Sequence, residues 1–330
     1  MEAPAAFRRF AELVLAAYAT PTSGLTYLDT LRKADFTSTQ AVTFAGQWAQ
    51  VAFYEHRSEP YWITDPGSGQ QFGPITDTNG LSVTVFENTE SHERVLAIRG
   101  TDDINDAGTD FVSVALLGSP KYQGQYQSLR AKVQEWIADG TLPQHFSVTG
   151  HSLGGFLATG LGLEFPQHVD HAYLFNAPGL GGLTNRPVLD QIARIYNITG
   201  GAYDPAKFTN VRAKPGLSMV AGLGAHPSPP ILVEGEDHGG YVVGTNNHRM
   251  MYLADSLWVH DVFTRLTGES GLETAGTIIR GASQRPLGKL EGALDALRTS
   301  LLGGGVARTP EGQRPRRDAG QVPSPDRRAP

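Results

Sequence analysis

The spacing of apolar residues divides most of the chain into helical and extended segments. Three segments have the three- and four-residue spacing of an amphipathic helix: residues 5–19, 38–57 and 122–138. Short alternating or wholly apolar runs predict strands at 81–86, 95–98, 145–149, 172–175 and 193–198. Further helices are expected at 154–163, 185–192 and 246–257. Strands that alternate with helices predict an α/β fold, with a mostly parallel central sheet that helices cover on both faces.

The pattern changes towards the carboxyl terminus. Residues 269–302 keep a looser helical pattern, and residues 303–330 are rich in Gly, Pro and Arg with almost no apolar residue. Such a tail cannot bury enough apolar surface to offset the entropy lost on ordering, so it is predicted to be disordered. We therefore expect four regions: a helical segment packing on the core at 1–60, an α/β domain at 61–268, a helical extension at 269–302 and the tail.

Composition and charge narrow the class of protein. Apolar residues make up 40% of the 330 residues, and the net charge is −6. A negative field of this kind does not attract nucleic acid or an anionic membrane surface, so no nucleic-acid partner is expected. The chain contains no cysteine, which excludes disulfides, thiolate metal sites and a cysteine nucleophile.

The amino terminus does not have the order of a cleavable signal peptide. Glu2 precedes the basic pair Arg8 and Arg9, and the apolar run from Leu13 to Ala17 is short. We interpret this region as an amphipathic helix, which suits a cytoplasmic protein or secretion by a route that needs no signal peptide. No run of about 18 apolar residues occurs, so no transmembrane helix is predicted.

The sequence VTGHSLGG at 148–155 contains a candidate nucleophile. Gly150, Ser152 and Gly154 match the G-x-S-x-G pattern, with a predicted strand before it and a predicted helix after it. In this context the serine lies on a sharp turn at the carboxyl edge of the sheet, and the helix start offers free N–H groups to a developing oxyanion. The alternative is a structural glycine-rich turn that happens to hold a serine. The strand and helix around the motif favour the nucleophile.

A serine nucleophile needs a histidine base and an acid, which in this topology follow in the order Ser, Asp or Glu, His. His248, in NNHRMMYL at the start of a predicted helix, is the best-placed base, and His238 and His260 are the alternatives. Asp204, in the loop GGAYDP after the last predicted strand, is the best-placed acid, and Asp237 is the alternative. Each residue also has a structural interpretation: His248 as an exposed residue at a helix start, and Asp204 as part of an Asp-Pro turn.

A second oxyanion donor is expected from the loop after an earlier strand. The stretch VLAIRGTDD supplies this arrangement, because the strand predicted at 95–98 is followed by Arg99, Gly100 and Thr101. We therefore predict that the backbone N–H groups of Thr101 and Leu153 converge on one oxygen.

Four motifs together resemble those of a known family. IRGT, GHSLGG, IYNITGGAYDP and NHRMMYL occur in this order, and they resemble the class 3 lipase family. The resemblance implies an α/β-hydrolase fold with the catalytic domain at 61–268, and hydrolysis of carboxylic esters of acylglycerols or phospholipids without a cofactor. It also assigns the triad and the oxyanion hole to five residues: Ser152, Asp204 and His248, and Thr101 and Leu153.

The segment between Thr101 and Tyr122 supplies a candidate lid, which the resemblance also implies for this region. Its apolar residues would cover an acyl pocket and become exposed at a lipid surface. They are Phe111, Val112, Val114, Leu116 and Leu117. An ordinary core helix is the alternative.

Acidic residues at the start of the same segment raise the question of a metal. Asp102, Asp106 and Asp110 offer the hard oxygen ligands that calcium prefers, but their spacing is not that of an EF-hand loop. Acidic residues at a helix start are also expected from the helix dipole. No cofactor is therefore predicted, with calcium as the alternative.

The sequence thus predicts a serine carboxylic-ester hydrolase, in the first place a monomeric lipase that acts on lipid or other ester substrates with transient contact to a lipid surface. A phospholipase A1 and a broad carboxylesterase are alternatives within the same chemistry. A non-catalytic lipid-binding or signalling module on the same fold is an alternative of another class. The complete set of nucleophile, base and acid favours the enzyme.

Overall fold

A computed structural model describes most of the region that carries these motifs. The described residues are 4–56, 61–64, 71–75, 80–100, 120–179, 192–194, 196–198, 204–214, 226–235, 248–268 and 272–283. The tail at 303–330 and most of the helix predicted at 185–192 lie outside them.

Helices and strands alternate along the described chain. The helices are α1 (Pro4–Ala16), α2 (Tyr27–Lys33), α3 (Ser38–Gln47), α4 (Pro120–Ala138), α5 (Leu153–Glu164), α6 (Met250–Thr267) and α7 (Leu272–Ser283). The strands are β1 (Trp48–Glu55), β2 (Tyr61–Thr64), β3 (Gln71–Ile75), β4 (Ser82–Asn88), β5 (Arg94–Ile98), β6 (Phe146–His151), β7 (Val169–Phe175), β8 (Phe208–Ala213) and β9 (Pro230–Val233). A 3₁₀ turn at Pro205–Lys207 leads into β8.

The central sheet is mixed and mostly parallel, as the sequence predicts. Its strand order is β1-β4-β5-β6-β7-β8-β9, and β2 pairs with β3 in a separate hairpin. β1, β4 and β5 are antiparallel neighbours, whereas β5 to β9 are parallel. The carboxyl ends of the parallel strands therefore share one edge, which is where ligands bind in open α/β sheets.

Apolar side chains form a core on each face of this sheet. Along β5, Leu96 and Ile98 belong to one core, and Val95 and Ala97 belong to the other, as the two-residue period of a strand requires. Helices α4 and α5 cover the first face, and α1, α3 and α6 cover the second. The prediction of helices on both faces is confirmed.

Most of the predicted elements are confirmed. α1, α4 and α5 occupy the helices expected at 5–19, 122–138 and 154–163, and β4 to β7 occupy the strands expected between 81 and 175. The helix expected at 246–257 begins at Met250 and continues to Thr267. In the part of the chain that is described, no helix combines the length and apolar composition needed to cross a bilayer.

The helix predicted over 38–57 is wrong beyond Gln47. There α3 ends and β1 begins, and β1 pairs antiparallel with β4 along its length. The pairing shifts register between Gln50 and Ala52, so side chains along β1 do not alternate strictly between the two faces of the sheet. The apolar residues of β1 therefore have a spacing that resembles that of a helix. The amino-terminal segment expected to be helical therefore contributes an edge strand to the central sheet.

The strand predicted at 193–198 is also wrong. Residues 192–194 are helical, and Ile192 and Tyr196 are both buried in the core beneath α4 and α5, four residues apart as on one helix face. The strand that follows β7 in the sheet is β8, with the sequence FTNVRA. Its apolar pattern does not predict a buried strand, because the polar Asn210 is buried within it at 1% exposure. This shift moves the loop on which the prediction of the acid depended.

Candidate active site

Ser152 lies on a sharp turn between β6 and α5, at the carboxyl edge of the sheet. Its backbone has φ 53° and ψ −125°. Residues other than glycine rarely adopt this combination, so the surrounding structure has to hold it in place. Its N–H donates to the Phe175 carbonyl oxygen at the end of β7, 2.9 Å away. A strained turn from strand to helix is the geometry of a nucleophile elbow, as the sequence predicts.

Close packing explains why glycines flank the serine. A Cβ on Gly154 would lie 2.3 Å from the carbonyl oxygen of Ile98 in β5, and one on Gly150 would lie 2.3 Å from the carbonyl oxygen of Gly154. Both atoms are backbone atoms, which cannot rotate away as a side chain would. Gly154 is therefore required by the close contact of the turn with β5, and Gly150 by the close contact of β6 with the start of α5.

His248 contacts Ser152 directly. Its Nε2 atom lies 2.9 Å from Ser152 Oγ, and the exposed fractions of the two residues are 2% and 8%. Burial, followed by the positive charge that His151 can carry, lowers the pKa of His248 well below its ordinary value. The imidazole is therefore neutral at neutral pH, and the serine hydroxyl can donate its proton to Nε2. The predicted nucleophile and base are thus brought together.

The end of β5 and the start of α5 meet beside the nucleophile. Leu153 is the first residue of α5, so its N–H is among those that a helix start leaves without an intrahelical partner. A Cβ on Gly100, just beyond β5, would lie 3.1 Å from the Ser152 Cβ. The second predicted oxyanion donor, Thr101, follows Gly100 in the chain and lies outside the described residues.

Asp204 lies at the opposite edge of the sheet, so the prediction that it is beside Ser152 is wrong. It directly precedes the Pro205–Lys207 turn at the amino end of β8, and β8 runs parallel to β7 and thus to β6. The length of a six-residue strand, roughly 17–20 Å, separates the two edges. The Asp204 side chain is exposed and accepts a hydrogen bond from the Ala206 N–H. It therefore caps a turn, as the structural interpretation expected.

Among the alternative acid and base residues, His260 lies in the part of the chain that the structure describes. His260 lies in the interior of α6, where it is 1% exposed. It is ten residues beyond the first residue of that helix, a distance of roughly 15 Å along the axis, so it does not contact Ser152. Asp237 and His238 lie outside the described residues.

The lid and metal predictions fall outside the described residues as well. They rest on Phe111, Val112, Val114, Leu116 and Leu117, and on Asp102, Asp106 and Asp110. Where the structure does describe the chain, no three His, Asp or Glu side chains cluster as metal ligands would.

Two residues that the sequence analysis did not single out contact this site. Tyr18 Oη lies 2.8 Å from His151 Nδ1, and His151 Nε2 lies 2.9 Å from the backbone carbonyl oxygen of His248. The Gly100 N–H donates to Tyr18 Oη at 3.1 Å. Tyr18 and His151 are 133 positions apart, and the elbow pattern leaves the position of His151 open, so no signal in the sequence joins them.

No family model and no curated protein matches the chain, whereas several solved structures do. The Lip2 lipase from Yarrowia lipolytica is 16% identical with a TM-score of 0.42, and the match covers 73% of this chain and 82% of that chain. A triacylglycerol lipase from Penicillium expansum is 17% identical with a TM-score of 0.35, covering 70% and 80%. A fungal esterase from Rhizomucor miehei is 12% identical with a TM-score of 0.26, covering 80% and 98%.

The fold of the chain follows from its own geometry. A mostly parallel sheet, covered on both faces, carries a strained serine turn between β6 and α5, and this is the arrangement of an α/β-hydrolase. The chain is thus an α/β-hydrolase-fold protein.

Proposed function

We propose that the chain is a serine carboxylic-ester hydrolase in which Ser152 is the nucleophile and His248 is the general base. The observation that carries the proposal is the 2.9 Å contact between Ser152 Oγ and His248 Nε2 at the carboxyl edge of the sheet. Ser152 occupies the N-cap position of α5 but makes no side-chain capping bond. A serine retained for structure would cap the helix there, whereas this hydroxyl contacts the base.

Acylation follows from this contact. The proton of the Ser152 hydroxyl passes to His248 Nε2 while Oγ bonds to the ester carbonyl carbon. The N–H groups of Leu153 and Thr101 stabilise the oxyanion that forms on the carbonyl oxygen. His248 then gives its proton to the leaving alkoxide as the ester C–O bond breaks. The alcohol departs, and the acyl group stays on Ser152 as an ester.

Deacylation repeats the steps with water in place of the alcohol. His248 takes a proton from water as its oxygen attacks the acyl carbon, and returns the proton to Ser152 Oγ as the acid leaves. Both halves need a neutral imidazole at the start. Because burial lowers the pKa of His248, this base form persists to a pH below the ordinary titration range of histidine.

For the substrate we propose a lipid ester, in the first place an acylglycerol, hydrolysed by a monomer in transient contact with a lipid surface. The support is the apolar run FVSVALLG at 111–118, which follows in the chain the end of β5 beside Ser152. Such a run is suited to covering an acyl chain and to contact with a lipid surface. A phospholipase A1 or a broad carboxylesterase would use the same nucleophile and base.

Hydrolysis of p-nitrophenyl esters by the wild type and by Ser152→Ala tests the reaction. Ser128→Ala is the matched control, because the Ser128 hydroxyl bonds to the Gly124 carbonyl within α4 and takes no part in the proposed nucleophile and base. We expect hydrolysis by the wild type and the control and its loss in Ser152→Ala. Equal rates in wild type and Ser152→Ala would overturn the proposal.

A series of esters from acetate to palmitate, run below and above their solubility, tests the substrate class. Rates that rise with chain length and with emulsified ester support a lipase. Absence of any such preference would count against a lipase and favour a broad esterase. Release of the sn-1 acid from phospholipid vesicles, with triacylglycerol left intact, would identify a phospholipase A1 instead.

A further inference from the structure

Tyr18 and His151 join parts of the site that come from separate elements. Tyr18 follows α1, His151 ends β6, and Gly100 follows β5. We propose that Tyr18 and His151 are positioning residues, which hold the His248 imidazole on Ser152 and the end of β5 beside it. The proposal rests on the proposed ester-hydrolase function of Ser152.

The two partners of His151 determine where its ring carries a proton. Nε2 faces the backbone carbonyl oxygen of His248 at 2.9 Å, and a carbonyl oxygen only accepts, so Nε2 is the protonated nitrogen. Burial lowers the pKa of His151 to about 4, so the ring is neutral at neutral pH and Nδ1 has a free lone pair. The Tyr18 hydroxyl, 2.8 Å from Nδ1, therefore donates to it.

The same hydroxyl also accepts the Gly100 N–H at 3.1 Å. The hydrogen bonds thus run in one direction, from Gly100 through Tyr18 and His151 to the His248 carbonyl, and bonds in such a chain strengthen one another. The packing agrees with this arrangement, because a Cβ on Gly100 would lie 2.8 Å from Tyr18 Oη. At 1% exposure, His151 has no access to water that would replace a lost partner.

The chain of hydrogen bonds acts on the nucleophile and on the base at once. His151 directly precedes Ser152, and its ring centroid lies 4.9 Å from that of His248. The residue beside the nucleophile therefore holds the backbone of the base. A shift of about 1 Å between reacting groups can lower a rate by about a hundredfold, so loss of this support affects turnover rather than binding of the ester.

Tyr18→Phe removes the hydroxyl and keeps the ring. We expect kcat to fall about tenfold, the scale of one neutral hydrogen bond, with KM little changed. Tyr27→Phe is the matched control, because the buried Tyr27 hydroxyl has no hydrogen-bond partner among the described residues. It is expected to leave kcat as in the wild type.

Substitutions of His151 separate positioning from general support of the fold. His151→Gln keeps a donor near the position of Nε2, so it is expected to restore much of the kcat that His151→Leu loses. In the His151→Leu background, Tyr18→Phe is expected to lower kcat by much less than tenfold, because the tyrosine acts in large part through the imidazole. The fraction of active enzyme in each preparation is titrated with a fluorophosphonate, so that kcat refers to folded sites.

The outcomes separate this proposal from the function on which it rests. Equal hydrolysis by wild type and Ser152→Ala would overturn the function itself. Hydrolysis that requires Ser152, with kcat per active site in Tyr18→Phe within twofold of the wild type, would overturn the positioning roles alone. A rate in His151→Gln as low as in His151→Leu, or effects of Tyr18 and His151 that simply multiply, would also overturn them.

Discussion

Replacing Gly154 by alanine tests whether the contact between the serine turn and β5 is as close as the structure shows. The new Cβ would lie 2.3 Å from the Ile98 carbonyl oxygen and 2.8 Å from the Arg99 carbonyl oxygen. Ordinary contacts of a Cβ begin at 3.4 Å, so the start of α5 has to move away from β5 by about 1 Å. No side-chain rotation relieves this clash, because both oxygens belong to the backbone.

The displacement has two measurable consequences. Overpacking of this kind destabilises a fold by roughly 1–3 kcal/mol, which lowers the melting temperature by several degrees, at roughly 2–4 °C per kcal/mol for a large domain. Gly154 also follows Leu153, whose N–H is proposed to stabilise the oxyanion. A shift of about 1 Å at that point is expected to lower kcat by about a hundredfold.

Thermal unfolding and ester hydrolysis, measured together, check both effects. Gly124→Ala is the control, since a Cβ there meets no atom of the described residues within 4 Å beyond its chain neighbours and its own helix backbone, and an alanine within α4 is expected to stabilise by roughly 0.5–1 kcal/mol. The two glycine substitutions thus have opposite expected signs. A Gly154→Ala variant with the melting temperature and kcat of the wild type would refute the close contact and the role given to the helix start.

Substitutions at three other positions test separate parts of the structure. Burial lowers the pKa of His260 from 6.5 to about 4, so the unfolded chain binds the proton first and stability declines as pH falls from 6.5 towards 4. Because the buried His151 and His248 contribute to the same decline, His260→Gln should make the decline in urea unfolding less steep without removing it. An unchanged slope would contradict the burial of His260. The Leu153 side chain is 4% exposed, so Leu153→Met should keep kcat, whereas Leu153→Ala should lose about 2–5 kcal/mol of stability; a large loss of kcat in Leu153→Met would show that the side chain takes part. Asp204→Asn should leave kcat unchanged, because asparagine also caps turns and residue 204 lies at the edge of the sheet opposite Ser152. A tenfold loss of kcat would show that Asp204 takes part in the reaction.

Short-range signals were sufficient to predict the turn that carries Ser152 and the helix that follows His248. The elbow at Ser152 combines a strand, closely packed glycines and a helix in consecutive residues, so its geometry is encoded locally. His248 lies just before α6, a helix that the sequence also predicts. The sequence thus predicts both local elements, whereas the contact between Ser152 and His248 joins residues 96 positions apart.

The prediction of Asp204 as the acid failed because it depended on which segment becomes the strand beside β7. Apolar residues predominate at 193–198, while β8 carries the buried polar Asn210, so the pattern favoured the wrong segment and put Asp204 at the wrong edge. The contact of Tyr18 with His151 is purely tertiary. It depends on how α1 packs against the sheet, and the spacing of apolar residues along the chain does not predict this packing.

The central claim, that Ser152 is a nucleophile activated by His248, is tested most directly by reaction with a fluorophosphonate followed by peptide mass mapping. The serine oxygen bonds to phosphorus, fluoride leaves, and the serine proton passes to His248. We predict one adduct per chain at neutral pH, on the peptide that contains Ser152, with slow labelling in His248→Asn and none in Ser152→Ala. An adduct on another residue, or labelling of Ser152 at an undiminished rate in His248→Asn, would contradict the claim.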